Sequence, residues 1–127
     1  MKHTLNITKA LADESRLRIL MMIREKEVCV CQIVEVLGSA FSTISKHLSI
    51  LKAAGLIESR KQGRWIYYHE PRSPGPSVQA ALDWVSQTLK DCGQIARDRE
   101  KGTLVCSQDP EDIAKVQRHR VCMQHQL

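Results

Sequence analysis

The fold is decided by one stretch of the chain, Ser42-Thr43-Ile44-Ser45-Lys46-His47-Leu48-Ser49-Ile50-Leu51, which has the spacing of an amphipathic helix. Its apolar side chains recur at steps of three and four, at Phe41, Ile44, Leu48 and Leu51. Its other face carries short polar or basic side chains, at Ser42, Ser45, Lys46, Ser49 and Lys52. We predict that Ser39 caps this helix. We expect the helix to end near Ala54, because Gly55 suits the position just after a helix.

A shorter helix is predicted just before this one. Residues 32–37 place Ile33, Val36 and Leu37 on one helical face, and Gly38 then interrupts the pattern. Two helices joined by a short turn that contains glycine are the sequence form of a helix-turn-helix.

A β-hairpin is predicted after the second helix. Residues 57–60 and 65–69 have the pattern of strands, and β-branched and aromatic side chains dominate the second. Lys61-Gln62-Gly63-Arg64 between them supplies a turn glycine. The sequence therefore predicts a mainly α fold with one β-hairpin, which is a winged helix-turn-helix of the α+β class.

Positive charge is concentrated in this part of the chain. Residues 1–70 hold 11 basic and 7 acidic side chains, and no acid lies between Glu35 and Glu58. A recognition helix enters the DNA major groove with its N-terminal side chains toward the bases. Basic side chains on a neighbouring hairpin can contact the phosphates. We therefore predict a double-stranded DNA interface formed by Ser42, Thr43, Ser45, Lys46, His47, Arg60, Lys61 and Arg64.

The rest of the chain is divided by a linker rich in proline, residues 70–76. Short helices are predicted over 4–12 and 14–24 before the helix-turn-helix, the second capped by Asp13. After the linker, residues 77–91 predict a helix with a long apolar stripe, which is a candidate contact between two copies of the chain. Packing of this stripe on residues 1–70 of the same chain is the alternative. We expect residues 1–92 to form the DNA-binding and dimerisation domain and residues 93–127 to form a polar tail, with one short helix over 111–121.

Several function classes are excluded by the composition. The longest apolar runs are too short to span a bilayer, and the first residues lack the apolar stretch of a signal peptide. We therefore expect a cytoplasmic protein with no membrane partner. No nucleophile–base pair, phosphate-binding glycine loop or paired acid cluster is present, so we expect no enzyme.

Thiol chemistry is indicated by five cysteines, at positions 29, 31, 92, 106 and 122. An odd count in a reducing compartment favours free or metal-bound thiols over disulfides. Cys31 lies where the helix 31–37 is predicted to begin, two residues after Cys29, and a helix N-terminus stabilises a thiolate. In a strand their positions would be about 6.5–7 Å apart, whereas a bend into the helix brings the sulfurs closer. A soft ion is the ligand that such a pair prefers, and two buried apolar thiols are the alternative.

Three segments of the chain resemble the ArsR/SmtB family of winged-helix repressors that respond to metals and metalloids. They are Leu11–Leu20, Ser42–Leu51, and Ala54–Ile57 with the hairpin that ends in Gly63-Arg64-Trp65-Ile66-Tyr67-Tyr68. The resemblance covers roughly residues 5–91, in the right order and spacing. It implies a homodimer that binds an inverted-repeat operator and releases it when an inducer binds. It also assigns DNA recognition to Ser42, Thr43, Ser45, Lys46 and His47.

Val28-Cys29-Val30-Cys31-Gln32 is similar to the motif of the arsenic-responsive members. The resemblance implies that trivalent arsenic or antimony is the effector, bound by thiolates and used without any catalytic cofactor. The motif usually has a third cysteine three residues after the second, and this chain has Val34 there. The third ligand is then Cys92, Cys106, Cys122 or a solvent oxygen. A redox switch and a zinc or cadmium site at the same cysteines remain alternatives. The spacing His119-x-x-Cys122-x-x-His125 in the tail favours incidental ligands over a designed site.

Overall fold

The computed structural model describes the backbone of residues 1–125 and the side chains of residues 1–118. Helices dominate, and one small sheet accompanies them. The helices are α1 (Lys2–Leu11), α2 (Glu14–Glu25), α3 (Val30–Leu37), α4 (Phe41–Ala53), α5 (Pro76–Leu89), α6 (Gly93–Cys106) and α7 (Pro110–His125). The strands are β1 (Val28–Cys29), β2 (Glu58–Gln62) and β3 (Trp65–His69). No helix in residues 1–125 is long and apolar enough to cross a membrane.

The predicted helix-turn-helix is present as α3 and α4. Gly38 ends α3 with a φ of 75°, a conformation that favours glycine. The prediction that Ser39 caps the next helix is wrong, because Ala40 occupies the N-cap and contributes no side-chain hydrogen bond. Gly55 follows α4 as predicted, with a φ of 77°. Its N–H and that of Leu56 donate to carbonyls of the last turn of α4, which closes the helix with a Schellman motif.

The wing is the antiparallel pair β2 and β3, in which Arg60 lies opposite Tyr67. The short strand β1 adds to the other edge of β3, with Cys29 opposite Tyr67, so that the sheet order is β1-β3-β2. The sequence pattern is too short there to identify β1. The sheet fixes the backbone of Cys29 directly beside the wing.

The core of residues 1–70, which we call the body, lies between α2, α3 and α4. Asp13 caps α2 as predicted, and its carboxylate accepts a hydrogen bond of 3.0 Å from the Arg16 N–H. The fully buried side chains of the core come from all three helices and from the segment after α4, and they include Ile19, Leu20, Ile23, Ile33, Ile44, Leu48, Leu51, Leu56 and Ile57. Burial of one face of α4 leaves its short polar face toward solvent.

The apolar stripe of α5 is buried within one chain. Val78, Leu82 and Val85 belong to the core, and α5 contacts α1. For these three residues the structure shows the alternative, packing within the same chain, and not the predicted contact between two copies. On α5 itself Trp84 remains 61% exposed, and on α1 Leu5 is 48% exposed.

Residues 93–125 are more ordered than the predicted polar tail with one short helix. They form two helices, and both contact the body: α6 packs on α2 and α3, and α7 packs on α3. The apolar residues that anchor them are few and widely spaced (Ile95, Val105 and Ile113). A bidentate ion pair adds to this contact, because Arg18 donates to both oxygens of the buried Asp98 at 2.8 and 2.9 Å.

Candidate thiol site and nucleic-acid interface

The sulfur atoms of Cys29 and Cys31 lie 2.8 Å apart. Cys29 is the N-cap of α3, and Cys31 lies in its first turn. The chain bends from β1 into α3 between them, and this bend brings together two sulfurs that an extended strand would separate. Both residues are buried, at 1% and 6% exposure. The structure therefore brings close together the two free thiols that were predicted as ligands from the sequence.

The pair is set up to hold one thiolate. The pKa of Cys29 is lowered to about 7 because the Cys31 thiol donates a hydrogen bond to it, and the Gln32 backbone N–H supports the same charge against the opposing effect of burial. The pKa of Cys31 is raised, because its proton is held by Cys29 and because the side chain is buried. The Gln32 side chain completes the N-terminal cap by accepting from the Cys29 N–H at 2.9 Å. A low-pKa thiolate beside a second thiol is a nucleophile suited to thiophilic ions.

A third protein ligand is not brought to this pair within the side chains that the structure describes. No group of three or more Cys, His, Asp or Glu residues that could hold a metal lies within that part of the chain. Cys106, at the end of α6, is half-buried, and this partial burial raises its pKa. The charge of Lys26 opposes this increase, and the charge on Cys29 adds to it. Cys92 is the half-buried N-cap of α6. The side chains of Cys122, His119 and His125 lie outside the described residues.

An open groove of about 650 Å³ adjoins the thiol pair. It lies between the start of α3, the start of α4, the wing and α7. Its lining residues are Cys29, Val30, Cys31, Phe41, Arg64, Trp65, Ile66, Glu111, Ala114, Gln117 and Arg118. We call this space the thiol groove.

Helix α7 covers one side of the thiol groove and bonds to the cysteine segment. Gln117 donates to the carbonyl oxygen of Cys31 at 2.9 Å, and the Cys31 thiol approaches the Pro110 carbonyl oxygen at 3.8 Å. Glu111 forms an ion pair with Arg64 of the wing. The sequence analysis missed these contacts, because α7 is polar and its partners lie far away in the sequence.

The predicted recognition residues lie on the solvent-facing side of α4. Ser42, Thr43 and Lys46 are exposed, and Ser45 and His47 are half-buried. This face carries no acid, which leaves a surface compatible with a polyanion.

Arg16 of α2 was not identified by the sequence analysis, and it positions His47. Its guanidinium donates to the carbonyl oxygens of Ala10 and Lys9 and lies 3.3 Å from Nδ1 of His47. Because arginine can only donate, Nδ1 is the acceptor in this contact, which leaves Nε2 as the donor of the neutral ring.

The three wing cations differ in their surroundings. Lys61 is exposed. Arg60 donates to both oxygens of Glu27 and lies 5.0 Å over the ring of Tyr67, and Arg60 lowers the pKa of Glu27 by this hydrogen bonding. Arg64 lies 5.4 Å over the ring of Trp65, in addition to its ion pair with α7. Two of the three cations predicted to contact phosphate are therefore already paired within the chain.

Comparison with known proteins identifies the same family as the sequence resemblance. Residues 13–59 match the family described as "Bacterial regulatory protein, arsR family". The chain is 42% identical over 116 residues to the arsenical resistance operon repressor of Escherichia coli, a match that covers 86% of this chain and 93% of that protein.

A relative that is named for cadmium, and not for arsenic, matches about half of the chain. The chain is 41% identical over 61 residues to the cadmium resistance regulatory protein CadC of Listeria innocua, which covers 47% of this chain and 51% of that protein. Among solved structures, a homodimeric winged helix-turn-helix DNA-binding domain from Mycobacterium bovis aligns with a TM-score of 0.60 and 30% identity, over 71% of this chain and 81% of that one.

These matches and the architecture agree with the family resemblance of the sequence. The family consists of DNA-binding regulators and not of enzymes. The chain belongs to the ArsR family of bacterial regulatory proteins, and it is a transcriptional regulator with a winged helix-turn-helix.

Proposed function

We propose that this protein is a homodimeric repressor that binds an inverted-repeat operator in the cytoplasm and releases it when Cys29 and Cys31 bind trivalent arsenic or antimony. The observation that carries this proposal is the 2.8 Å separation of the two sulfurs at the start of α3, the first helix of the helix-turn-helix. The relative named as an arsenical resistance repressor supports the choice of effector.

The DNA-binding half of the proposal is supported by the exposed polar face of α4 and by the wing. Ser42 and Thr43 lie in the first turn of α4, where a recognition helix meets base edges. Lys46 and Lys61 are exposed cations on the two elements that would flank the duplex, and they are suited to phosphate contacts.

The release half is supported by the position of the thiols between two DNA-contacting elements. Cys29 is paired with Tyr67 in the wing sheet and caps α3, which packs on α4. An ion bound to both sulfurs replaces the shared proton and separates atoms that are now in hydrogen-bond contact. The cap of α3 must then rearrange, and the effector favours whichever arrangement of α3, α4 and the wing accommodates it.

The dimer is supported by apolar surface that remains on α1 and α5. Leu5 and Trp84 are exposed on helices that contact each other, and the Mycobacterium bovis relative is homodimeric. We expect Trp84→Glu to shift the protein toward monomer in sedimentation. Leu104→Glu, at an exposed site on α6, is the matched control and should stay dimeric.

The experiment that tests the whole proposal is release of DNA by arsenite. A fluorescent duplex selected by this protein from a random pool is bound to saturation, and anisotropy is followed as arsenite or antimonite is added. The proposal predicts loss of anisotropy for the native protein and none for the double variant Cys29→Ser, Cys31→Ser, which still binds the duplex. An equal response from both proteins would contradict it.

A redox or zinc and cadmium switch at the same cysteines is the second candidate. It is favoured by the closeness of the sulfurs, by the low pKa of Cys29 and by the cadmium-resistance relative. The same anisotropy assay separates the candidates. Release by peroxide that a thiol reverses, or by cadmium or zinc, without any release by arsenite would favour this second candidate.

A further inference from the structure

Arg16 joins the end of α1 to the helix predicted to read DNA. It lies in the first turn of α2, and its guanidinium donates to the carbonyl oxygens of Lys9 at 3.2 Å and Ala10 at 2.9 Å. These carbonyls belong to the last turn of α1, where helix geometry leaves them without the usual helical partners. The same guanidinium lies 3.3 Å from Nδ1 of His47 on α4. One side chain therefore fixes α1 and α4 relative to each other.

The Nε2 atom of His47 is the donor that this arrangement leaves over. A guanidinium only donates, so Nδ1 accepts and the ring proton is on Nε2. Among residues 1–118 no group bonds to Nε2, and Nε2 is not one of their buried polar atoms without a partner, so solvent reaches it. Thr43 lies four residues earlier on the same side of α4 and is exposed. The ring N–H is therefore available on the side of α4 that carries the predicted recognition residues.

A phosphate oxygen is the acceptor that suits the position of this N–H. Ser42 and Thr43 lie in the first turn of α4 and are exposed, which is where a recognition helix meets base edges. His47 lies one turn further back and is half-buried. A side chain set back from the start of the helix meets the rim of the major groove, which is lined by phosphates, and polar side chains commonly donate to them.

We propose that His47, as a neutral ring, donates its Nε2–H to a phosphate oxygen of the operator, and that Arg16 is the residue that positions this donor. Such a bond fixes the position of α4 on the duplex without neutralising a charge. This inference rests on the DNA-binding half of the proposed function, because it requires α4 to be the recognition helix.

The first test compares two substitutions of His47 by anisotropy titration of the full chain with the selected duplex, at about pH 8, where an ordinary histidine is neutral. His47→Asn keeps an acceptor near the position of Nδ1 but removes the donor at Nε2. His47→Gln places an amide N–H near the position of Nε2. We expect His47→Asn to weaken binding by about three- to tenfold for each protomer, and His47→Gln to lose less. His3→Asn, at an exposed site on α1, should bind as the native protein does. Equal losses in the two His47 variants would overturn the role of Nε2.

The nature of the contact is tested by salt and by a modified duplex. A neutral donor releases no counterion, so His47→Asn should keep the native slope of log K against log salt. A slope lowered by about two for the dimer would show that His47 binds as a cation and would overturn the proposal. A methylphosphonate, placed at one phosphate at a time, should weaken the native protein at one phosphate of each half-site by several-fold more than it weakens His47→Asn. The same effect on both proteins at every phosphate would overturn the choice of acceptor.

The positioning role of Arg16 is tested by ¹⁵N NMR of the His47 ring, whose signals are identified by their loss in His47→Asn. The native ring should carry its proton on Nε2, and Arg16→Lys should show both neutral forms. Arg16→Lys should also weaken DNA binding in the native protein but cause no further loss in His47→Asn. Arg24→Lys, which alters another arginine of α2 that pairs with Glu70, should keep the native ring signals. Unchanged ring signals in Arg16→Lys, or additive losses of affinity, would overturn the positioning role.

The outcomes distinguish failure of this inference from failure of the proposed function. If the native protein binds the duplex and His47→Asn binds it equally well, the inference is disproved and the proposed function stands. If the native protein selects and binds no duplex, the proposed function and this inference both fail.

Discussion

Glu111 of α7 forms an ion pair with Arg64 at the tip of the wing, although the two residues are 47 positions apart in the chain. A wing arginine that would contact phosphate is thereby held by a carboxylate of the same chain. The helix that supplies this carboxylate also bonds to the Cys31 backbone through Gln117. The thiol pair and the wing thus share one neighbour, α7.

Removing the charge of Glu111 should strengthen DNA binding. In Glu111→Gln the guanidinium of Arg64 becomes available to phosphate. Because both partners are largely exposed, the gain should be modest, about two- to five-fold in affinity. Anisotropy titration with the selected duplex measures it. Asp112→Asn changes the same charge at the next, exposed position, so an equal gain in the two variants would show that only net charge matters.

Lys46→Ala should weaken DNA binding and reduce its salt dependence. Each lost phosphate contact lowers the slope of log K against log salt by about one, and therefore by about two for a dimer. Affinities measured over a series of salt concentrations give this slope. The control is Lys101→Ala on α6, which removes an exposed lysine away from the proposed interface. A native slope in Lys46→Ala would remove this residue from the phosphate contacts.

Cys31→Ala should raise the pKa of Cys29 above its value of about 7. The variant loses the thiol donor that stabilises the Cys29 thiolate, while burial continues to favour the protonated form. In the native protein the first thiolate should appear as the pH rises through about 7. In the variant this step should move to higher pH. Ultraviolet thiolate absorbance follows the step, and Cys92→Ala is the control. A step near neutral pH in Cys31→Ala would show that Cys31 does not set this pKa.

Asp98→Asn should destabilise the fold. It leaves Arg18 with a neutral partner in a mostly buried site, and loss of one member of a buried ion pair costs about 3 kcal/mol. Glu25→Gln breaks the exposed pair with Arg99 and should cost less than about 1 kcal/mol. Urea denaturation measures both free energies of unfolding. Similar values for the two variants would mean that α6 is not anchored through Asp98.

The elements that local patterns determine were predictable from the sequence. The apolar spacing of α4, the glycines at 38 and 55 and the aromatic strand β3 each carry their own signal, and together they gave the winged helix-turn-helix. Ser39 failed as a cap although its residue type is favourable, because the helix begins one residue later than a Ser39 cap requires. Which of two adjacent residues caps a helix depends on the turn before it, and the residue type alone does not decide it.

Contacts between distant segments were not predictable. Helix α6 is anchored by Ile95, Val105 and Asp98. Only two of these side chains are apolar and they are ten residues apart, so they give no clear helical period. The pairing of Arg60 with Glu27 joins positions 33 apart, and no local pattern indicates it. That the two thiols lie closer than in a strand was predictable, since a bend into a helix shortens their separation. The packing of α7 beside them was not predictable from the sequence.

The most direct test of the central claim is X-ray absorption at the arsenic edge of the arsenite-loaded protein, which counts the sulfur atoms bound to arsenic. We predict at least two sulfur neighbours in the native protein and none in the double variant Cys29→Ser, Cys31→Ser. The same sulfur count in both proteins would contradict the claim and would place the arsenic site elsewhere in the chain.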